Sequence, residues 1–205
     1  MKKLESSFKN MAIVLTLVAV VTGALLAYVN DVTVRPIQDI QAKQLSDGIN
    51  KVIGASNLKV STPDTVKKNI EGKEFTFVVY KTTNKNNKSM GTAVQSTTDG
   101  FGGSLVVLVG FDNNGNIKGY TILQTQETPG LGVKAAEWFR KGNKGDIIGK
   151  KAGGLKVSKD GGDVDAITAS TITSRAFLKA VNQAYMAISN KSVDGESGAS
   201  KQEHK

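Results

Sequence analysis

The chain contains no cysteine, and its one histidine, His204, stands in a polar segment beside the last residue. The first absence removes disulfides, thiolate zinc sites, Cys-ligated iron–sulfur clusters and cysteine nucleophiles. The second removes a histidine-based triad and a His-rich metal site. No metal-ligand set remains, and no residue reads as catalytic in its own right. Redox chemistry on this chain therefore requires an organic cofactor. Known phosphate loops are missing too: residues 100–103 read Gly-Phe-Gly-Gly rather than G-x-G-x-x-G, and there is no Walker A segment. Ser and Thr nucleophiles have no histidine base beside them, which leaves a Ser–Lys dyad as the one hydrolytic arrangement open. Aromatic residues are scarce, at 6%, and do not interleave the lysines, so a nucleic-acid partner is not expected.

What is present begins with charge and a long apolar run. The formal net charge is +9, with basic residues gathered in 67–88 and 134–160. Such clusters suit an anionic partner or a solvated surface, and the second reading is preferred. Lys2, Lys3 and Lys9 precede residues 11–29, which carry no charge. A bilayer-spanning helix takes about 20 apolar residues, whereas a signal-peptide core has ~7–15. Gly23, Ala24 and Ala27 are small, but no A-x-A site closes the run. The reading is a retained, single-pass anchor over 11–30 in the plasma (inner) membrane. Residues 1–10 are cytoplasmic and the domain is extracytoplasmic, since basic flanks stay inside. One uncharged span offers no ion path of its own.

Beyond the span, the sequence predicts a domain over 34–190 and a disordered tail over 191–205. Pro36 suits the first turn of a new helix whose apolar face is Ile37, Ile40, Leu45, Ile49, Val52 and Ile53, ending at Gly54. Residues 55–73 are mixed and polar and read as loop. Strands are predicted over 74–81, with a partner over 91–97, and over 104–111, a nearly continuous apolar run buried on both faces. The turn 112–116 then returns the chain as a hairpin strand over 117–123. A short helix over 133–141 and a short strand over 155–157 follow. The fold class is α+β: a mainly antiparallel sheet flanked by helices, behind one N-terminal transmembrane helix.

The stretch 165–174 carries hydroxyls on Thr168, Ser170, Thr171, Thr173 and Ser174 and runs into a helix with Phe177, Leu178, Val181, Ala184, Tyr185 and Ile188 at helical spacing. A helix start offers free N–H groups and the positive end of the macrodipole, which favour a phosphate. Ser and Thr are also preferred N-caps, so local sequence leaves a plain cap and a phosphate site both open. A second stretch, 127–132, reads Glu-Thr-Pro-Gly-Leu-Gly and exposes backbone amides around Gly130 and Gly132.

With 127–132 intact and Asp165 to Thr171 in this order behind an anchor, the chain resembles the flavin-binding domain of the Rnf complex G subunit. It is similar also to the C subunit of the sodium-pumping NADH:quinone reductase. The motif-bearing part is 91–189. The resemblance implies FMN in phosphodiester linkage on the last Thr of a pattern close to Asp-x-x-Ser/Thr-Gly-Ala-Thr. Asp165 matches its acid, Thr168 its Ser/Thr and Thr171 the acceptor, while Ala169-Ser170 replaces Gly-Ala. It further implies a separate flavin transferase and membership, with other subunits, of a ferredoxin:NAD oxidoreductase that translocates Na⁺ or H⁺. Thr168, Ser170 and Thr173 would hydrogen-bond the phosphate. Thr128, Gly130, Leu131 and Gly132 would approach the ring, with Glu127 and Lys134 biasing its charge. The rival reading is a membrane-tethered phosphate-ligand or scaffold domain without redox turnover.

Overall fold

The computed structural model describes residues 8–70 and 72–189, the side chain of Arg35 excepted. Residues 1–7 and the tail expected over 191–205 lie outside the described residues. The chain divides into two compact units, one ending at Gln44 and one starting at Leu45.

The described residues of the first unit are helical and belong to α1, Phe8–Ile53, a helix of 46 residues with Pro36 inside it. A fresh helix starting at Pro36 is therefore not formed: α1 runs through. Proline deletes one backbone donor and crowds the preceding turn, and here the helical turns on both sides persist. The uncharged residues 11–29 would extend about 28 Å as helix. That matches a hydrocarbon core of about 30 Å, and α1 is long and apolar enough to cross a membrane.

The second unit is a six-stranded antiparallel sheet with helix on both faces. Its strands are β1 Lys59–Val60, β2 Asp64–Ile70, β3 Lys73–Thr83, β4 Ser89–Asp99, β5 Ser104–Phe111 and β6 Ile117–Thr125, and the later helices are α2 Ala135–Trp138 and α3 Thr171–Ile188. The order is β1-β3-β4-β5-β6, with β2 also paired to β3. β2 corrects the expectation of a loop over 55–73. Its sequence, Asp-Thr-Val-Lys-Lys-Asn-Ile, lacks a clean apolar alternation, and only Ile70 is fully buried. Backbone pairing with residues 73–79 of β3 holds it there, together with an exposed Lys67–Glu74 ion pair at 2.9 Å.

Side chains of the central strands alternate between two cores. Phe77, Val79, Val94, Leu105, Val107 and Val109 join Phe177, Leu178, Val181 and Ala184 of α3. Tyr80, Ala93 and Leu108 meet Ile49, Val52 and Ile53, the last turns of α1, on the opposite face. This explains why β5 is apolar throughout: both its faces are covered. Gly110 and Gly119 let residue 52 lie close to the sheet, since a Cβ on Gly110 would come within 2.7 Å of the Val52 carbonyl carbon. The β5–β6 hairpin turns at 112–116, where Asp112 Oδ1 accepts the N–H groups of Asn114 and Asn116, each at 2.8 Å.

Two shorter elements differ from expectation. The helix over 133–141 reduces to a 3₁₀ turn, Gly132–Lys134, and the four residues of α2. At its end the Phe139 N–H donates to the Tyr120 hydroxyl at 3.2 Å, and the Arg140 N–H turns back to the Glu137 carbonyl at 3.1 Å. The strand over 155–157 is absent as such. Val157 makes one isolated parallel bridge to Val164, and its neighbours turn through a 3₁₀ segment, Ser158–Asp160, and Gly161 at φ 80°.

Candidate functional site

The turn before α3 is built by its own hydroxyls. The Ser170 N–H donates to the Ile167 carbonyl at 3.0 Å. Ser174, one turn into the helix, accepts the Ile167 N–H and donates to the Ser170 carbonyl, both at 2.9 Å. Ser174 thus ties the turn shut. Ala169 sits at its apex with φ 60°, the left-handed conformation that glycine adopts without strain. The Cβ that distinguishes it from the family pattern is accommodated, at the cost of that backbone strain. Thr168 and Ala169 are exposed, Thr171 is half-buried, and Ser170 and Thr173 are buried.

Ser170 occupies the N-cap position of α3, yet it makes no side-chain cap hydrogen bond. Ser174 closes the turn instead, and Thr173 points elsewhere. Its hydroxyl donates to Glu127 Oε2 at 2.9 Å, across 46 residues of sequence. The other carboxylate oxygen of Glu127 accepts the Phe101 N–H at 2.7 Å. Glu127 is only 6% exposed, so a buried acid joins the 100–103 turn, the 127–132 loop and the first turn of α3. Acceptance of two donors is what a buried carboxylate requires.

The glycines follow from that knot. A Cβ on Gly132 would meet Glu127 Cβ at 2.8 Å and Thr173 Oγ1 at 2.9 Å, and one on Gly100 would strike Glu127 Oε1. Gly132 is therefore glycine so that the loop can close on Glu127 and Thr173, a role distinct from the ring approach expected of it. Gly130 has φ 78° and open space around its missing Cβ, so within the chain the turn is what requires it. The Leu131 and Val133 N–H groups both turn back to the Thr128 carbonyl, at 3.2 and 3.4 Å. Around the knot three apolar side chains face solvent: Phe101 at 68%, Leu131 at 40% and Val133 at 38% exposure. Lys134 beside them is exposed as well.

Asp165 is anchored through both its side chain and its backbone. Its Oδ1 accepts from the Ser158 hydroxyl at 3.0 Å, and its carbonyl accepts the Trp138 indole N–H at 2.8 Å. Asp160, two residues after Ser158, pairs with Arg175 of α3 through two bonds of 2.8 and 2.6 Å. That pairing pushes the already high Arg175 pKa further up. Beneath the site Phe177 stacks on Phe139, with centroids 4.4 Å apart, and meets the Tyr120 ring edge-on at 4.7 Å. Burial drives the Tyr120 hydroxyl pKa well above its usual value, and that hydroxyl donates to the Ala135 carbonyl.

The structure therefore brings together Glu127, Gly132 and Thr173, and it sets Thr171 and Ser170 at the start of α3. It ties Asp165 to the loop that supports them. Phe101, Ser174, Ser158, Asp160, Arg175 and Trp138 belong to the same assembly and were not singled out as site residues by the sequence. Of these Ser174 stood in the hydroxyl-rich stretch itself, and its partners Ser170 and Ile167 are local; Phe101, Trp138, Asp160 and Arg175 act through residues distant in sequence.

These residues fit a phosphate-bearing flavin. The hydroxyl-rich helix start leaves its own cap bond unmade, and exposed apolar side chains stand on the loops knotted to it. The comparisons agree. Residues 100–186 match the FMN-binding domain, and residues 1–52 match the RnfG N-terminal region. The G subunit of the ion-translocating oxidoreductase complex of Vibrio vulnificus (strain YJ016) is 30% identical over 184 residues, covering 86% of this chain and 87% of the relative. That of Shewanella amazonensis is 30% identical over 199 residues, covering 90% and 89%. The crystal structure of Shewanella oneidensis NqrC shares the fold, with a TM-score of 0.53 at 18% identity over 72% of this chain and 93% of that one. With this identity over nearly the whole chain, the protein belongs to the family of G subunits of ion-translocating oxidoreductase complexes, and residues 100–186 are its FMN-binding domain.

Proposed function

We propose that the chain is the FMN-carrying electron-transfer subunit of a membrane-bound, Rnf-type ferredoxin:NAD oxidoreductase that couples electron flow to Na⁺ or H⁺ translocation. FMN is attached through its phosphate to Thr171. The observation that carries this reading is the start of α3, where a hydroxyl-rich turn leaves its N-cap side chain without a cap bond. Plain capping would use the Ser170 side chain. An uncapped start keeps donors and the positive end of the helix dipole turned toward an anion.

Bound FMN supplies the one- and two-electron chemistry, which the chain's own groups do not. Thr171 is half-buried at the first helical position, so its ester oxygen would hold the phosphate against the N–H groups of the first turn. Ser170 and the exposed Thr168 stand beside it. Phe101, Leu131 and Val133 offer the apolar surface that a flat ring needs. Glu127 lies under that surface and disfavours added negative charge there, while Lys134 has the opposite sign. No base adjoins Thr171 in sequence, so a separate flavin transferase makes the bond. With FAD as that enzyme's substrate, the Thr171 oxygen would take the flavin-side phosphoryl group, AMP would leave, and the Thr171 proton would pass to the enzyme. Lys2, Lys3 and Lys9 keep the N-terminus cytoplasmic and place the domain outside, among the other members of the complex.

The test is the intact mass of the chain co-expressed with a flavin transferase, followed by peptide mapping. Wild type should gain covalent FMN on Thr171, and Thr171→Ala should fold without colour. FMN found on Thr168 or Thr173 would refute the assignment of the acceptor. No covalent flavin on wild type would favour a tethered phosphate-ligand domain instead.

A further inference from the structure

The geometry points to Arg175 as a phosphate-positioning residue for the group carried on Thr171, aimed by the carboxylate of Asp160. The inference rests on the attachment proposed above. Thr171 and Arg175 are four residues apart in α3 and share one helix face, where such Cβ atoms lie about 5–6 Å apart. Helical side chains lean toward the N-terminus, over the preceding turn. The Arg175 guanidinium therefore leans back toward the turn that bears Thr171.

It is also held. Nε and Nη2 both reach the Asp160 carboxylate, at 2.8 and 2.6 Å, and the two side chains are only 19% and 28% exposed. This two-point grip uses one edge of the guanidinium and fixes the direction of the other, which carries the Nη1 donors. Asp160 is itself positioned. The Ser158 N–H donates to the Val164 carbonyl at 2.8 Å, and the Ser158 hydroxyl donates to Asp165 Oδ1 at 3.0 Å. Behind them Gly162 packs so closely that a Cβ would come within 2.7 Å of Lys156 Cβ. A chain of contacts thus runs from Asp165 through the 158–160 turn to Arg175. The motif acid acts on the phosphate indirectly, by supporting the loop that aims the arginine.

Electrostatics gives the placement its meaning. A cation near a helix N-terminus opposes the macrodipole and is unfavourable without an anion. Asp160 supplies one anion at that end, and a phosphodiester on Thr171 would supply a second within reach of the same guanidinium.

The experiment compares wild type, Arg175→Gln, Arg175→Lys and Asp160→Asn, each prepared as the full chain in detergent with and without a flavin transferase. Peptide mapping of wild type comes first. If FMN is not on Thr171 there, the attachment reading fails, and this inference falls with it. Two readouts follow: the ³¹P resonance of the phosphodiester, and the rise in Tm between the unflavinylated and flavinylated forms. Arg175→Gln should displace the resonance and remove most of the flavin-dependent rise. Arg175→Lys, which keeps charge without the planar fork, should retain part of that rise. Asp160→Asn should displace the resonance with a smaller loss of the rise. A merely structural ion pair predicts the opposite pattern: Tm lowered equally in both forms and an unmoved resonance, which would overturn the inference. Should Arg175→Gln fail to fold, an unmoved ³¹P resonance in both Arg175→Lys and Asp160→Asn would overturn it equally.

Discussion

Ala169 carries the least comfortable backbone in the functional turn, and relieving it is a direct measurement of that strain. Three non-glycine residues have positive φ among the described residues: Asn57, Asn87 and Ala169. Asparagine tolerates the left-handed region, whereas for alanine the clash of Cβ with the following carbonyl costs roughly 1–2 kcal/mol. Ala169→Gly removes that clash. Glycine gives back about 0.5–1 kcal/mol through the freedom it gains in the unfolded chain. Because Ala169 is exposed, its methyl contributes no core packing. The net expectation is a stabilisation of about 0.5–1 kcal/mol, or roughly 1–4 °C in Tm for a chain of this size. The assay is urea unfolding of the full chain in detergent, with the midpoint raised and the slope unchanged. Ser170→Gly is the control: at φ −139° that residue has no such strain to release, so it should not stabilise. A neutral or destabilising Ala169→Gly would refute the argument that the turn is strained at this residue.

Three further outcomes follow from contacts around the site and core. Glu127→Ala deletes the acceptors for Phe101 and Thr173 and should destabilise by about 2–4 kcal/mol, given the strength of charge-assisted bonds in buried surroundings; a loss under ~1 kcal/mol in urea unfolding would show that the knot is not structural. Gln183 lies buried on α3, and neither its amide nitrogen nor its amide oxygen has a hydrogen-bond partner among the described residues. Gln183→Met should therefore raise stability by about 1–2 kcal/mol, and a fall in the unfolding midpoint would contradict this. The hydrogen bond from Lys150 holds the Asp163 carboxyl below its ordinary pKa. A depressed folded-state value stabilises above the unfolded pKa of about 3.9 and loses that contribution as pH falls through the lower folded value. Asp163→Asn should remove this acid-limb dependence, by less than ~1 kcal/mol because the pair is exposed; an unchanged acid limb would refute it.

The parts of this protein that were legible in its sequence are those settled within a few residues. The span over 11–29 follows from a run without charge, and the β5–β6 hairpin from Asp112, whose carboxylate closes its own turn. The core face of α3 follows from a 3.6-residue rhythm. The two motif loops were visible as well, because hydroxyls and glycines cluster locally. What the sequence did not show is what those residues touch. Hydroxyls before a helix read locally as caps first and as hydrogen-bond donors to a phosphate second. Only the fold set the Thr173 hydroxyl against Glu127, 46 residues away, and left the Ser170 side chain without a cap bond. The same holds for β2, a polar segment made a strand by backbone pairing to β3, and for α1, whose turns persist on both sides of Pro36. Local periodicity and turn chemistry are written in neighbouring residues. Long-range hydrogen bonds depend on sheet register and on which loops meet, and so tertiary structure alone decided how Glu127, Thr173, Asp160 and Arg175 are joined.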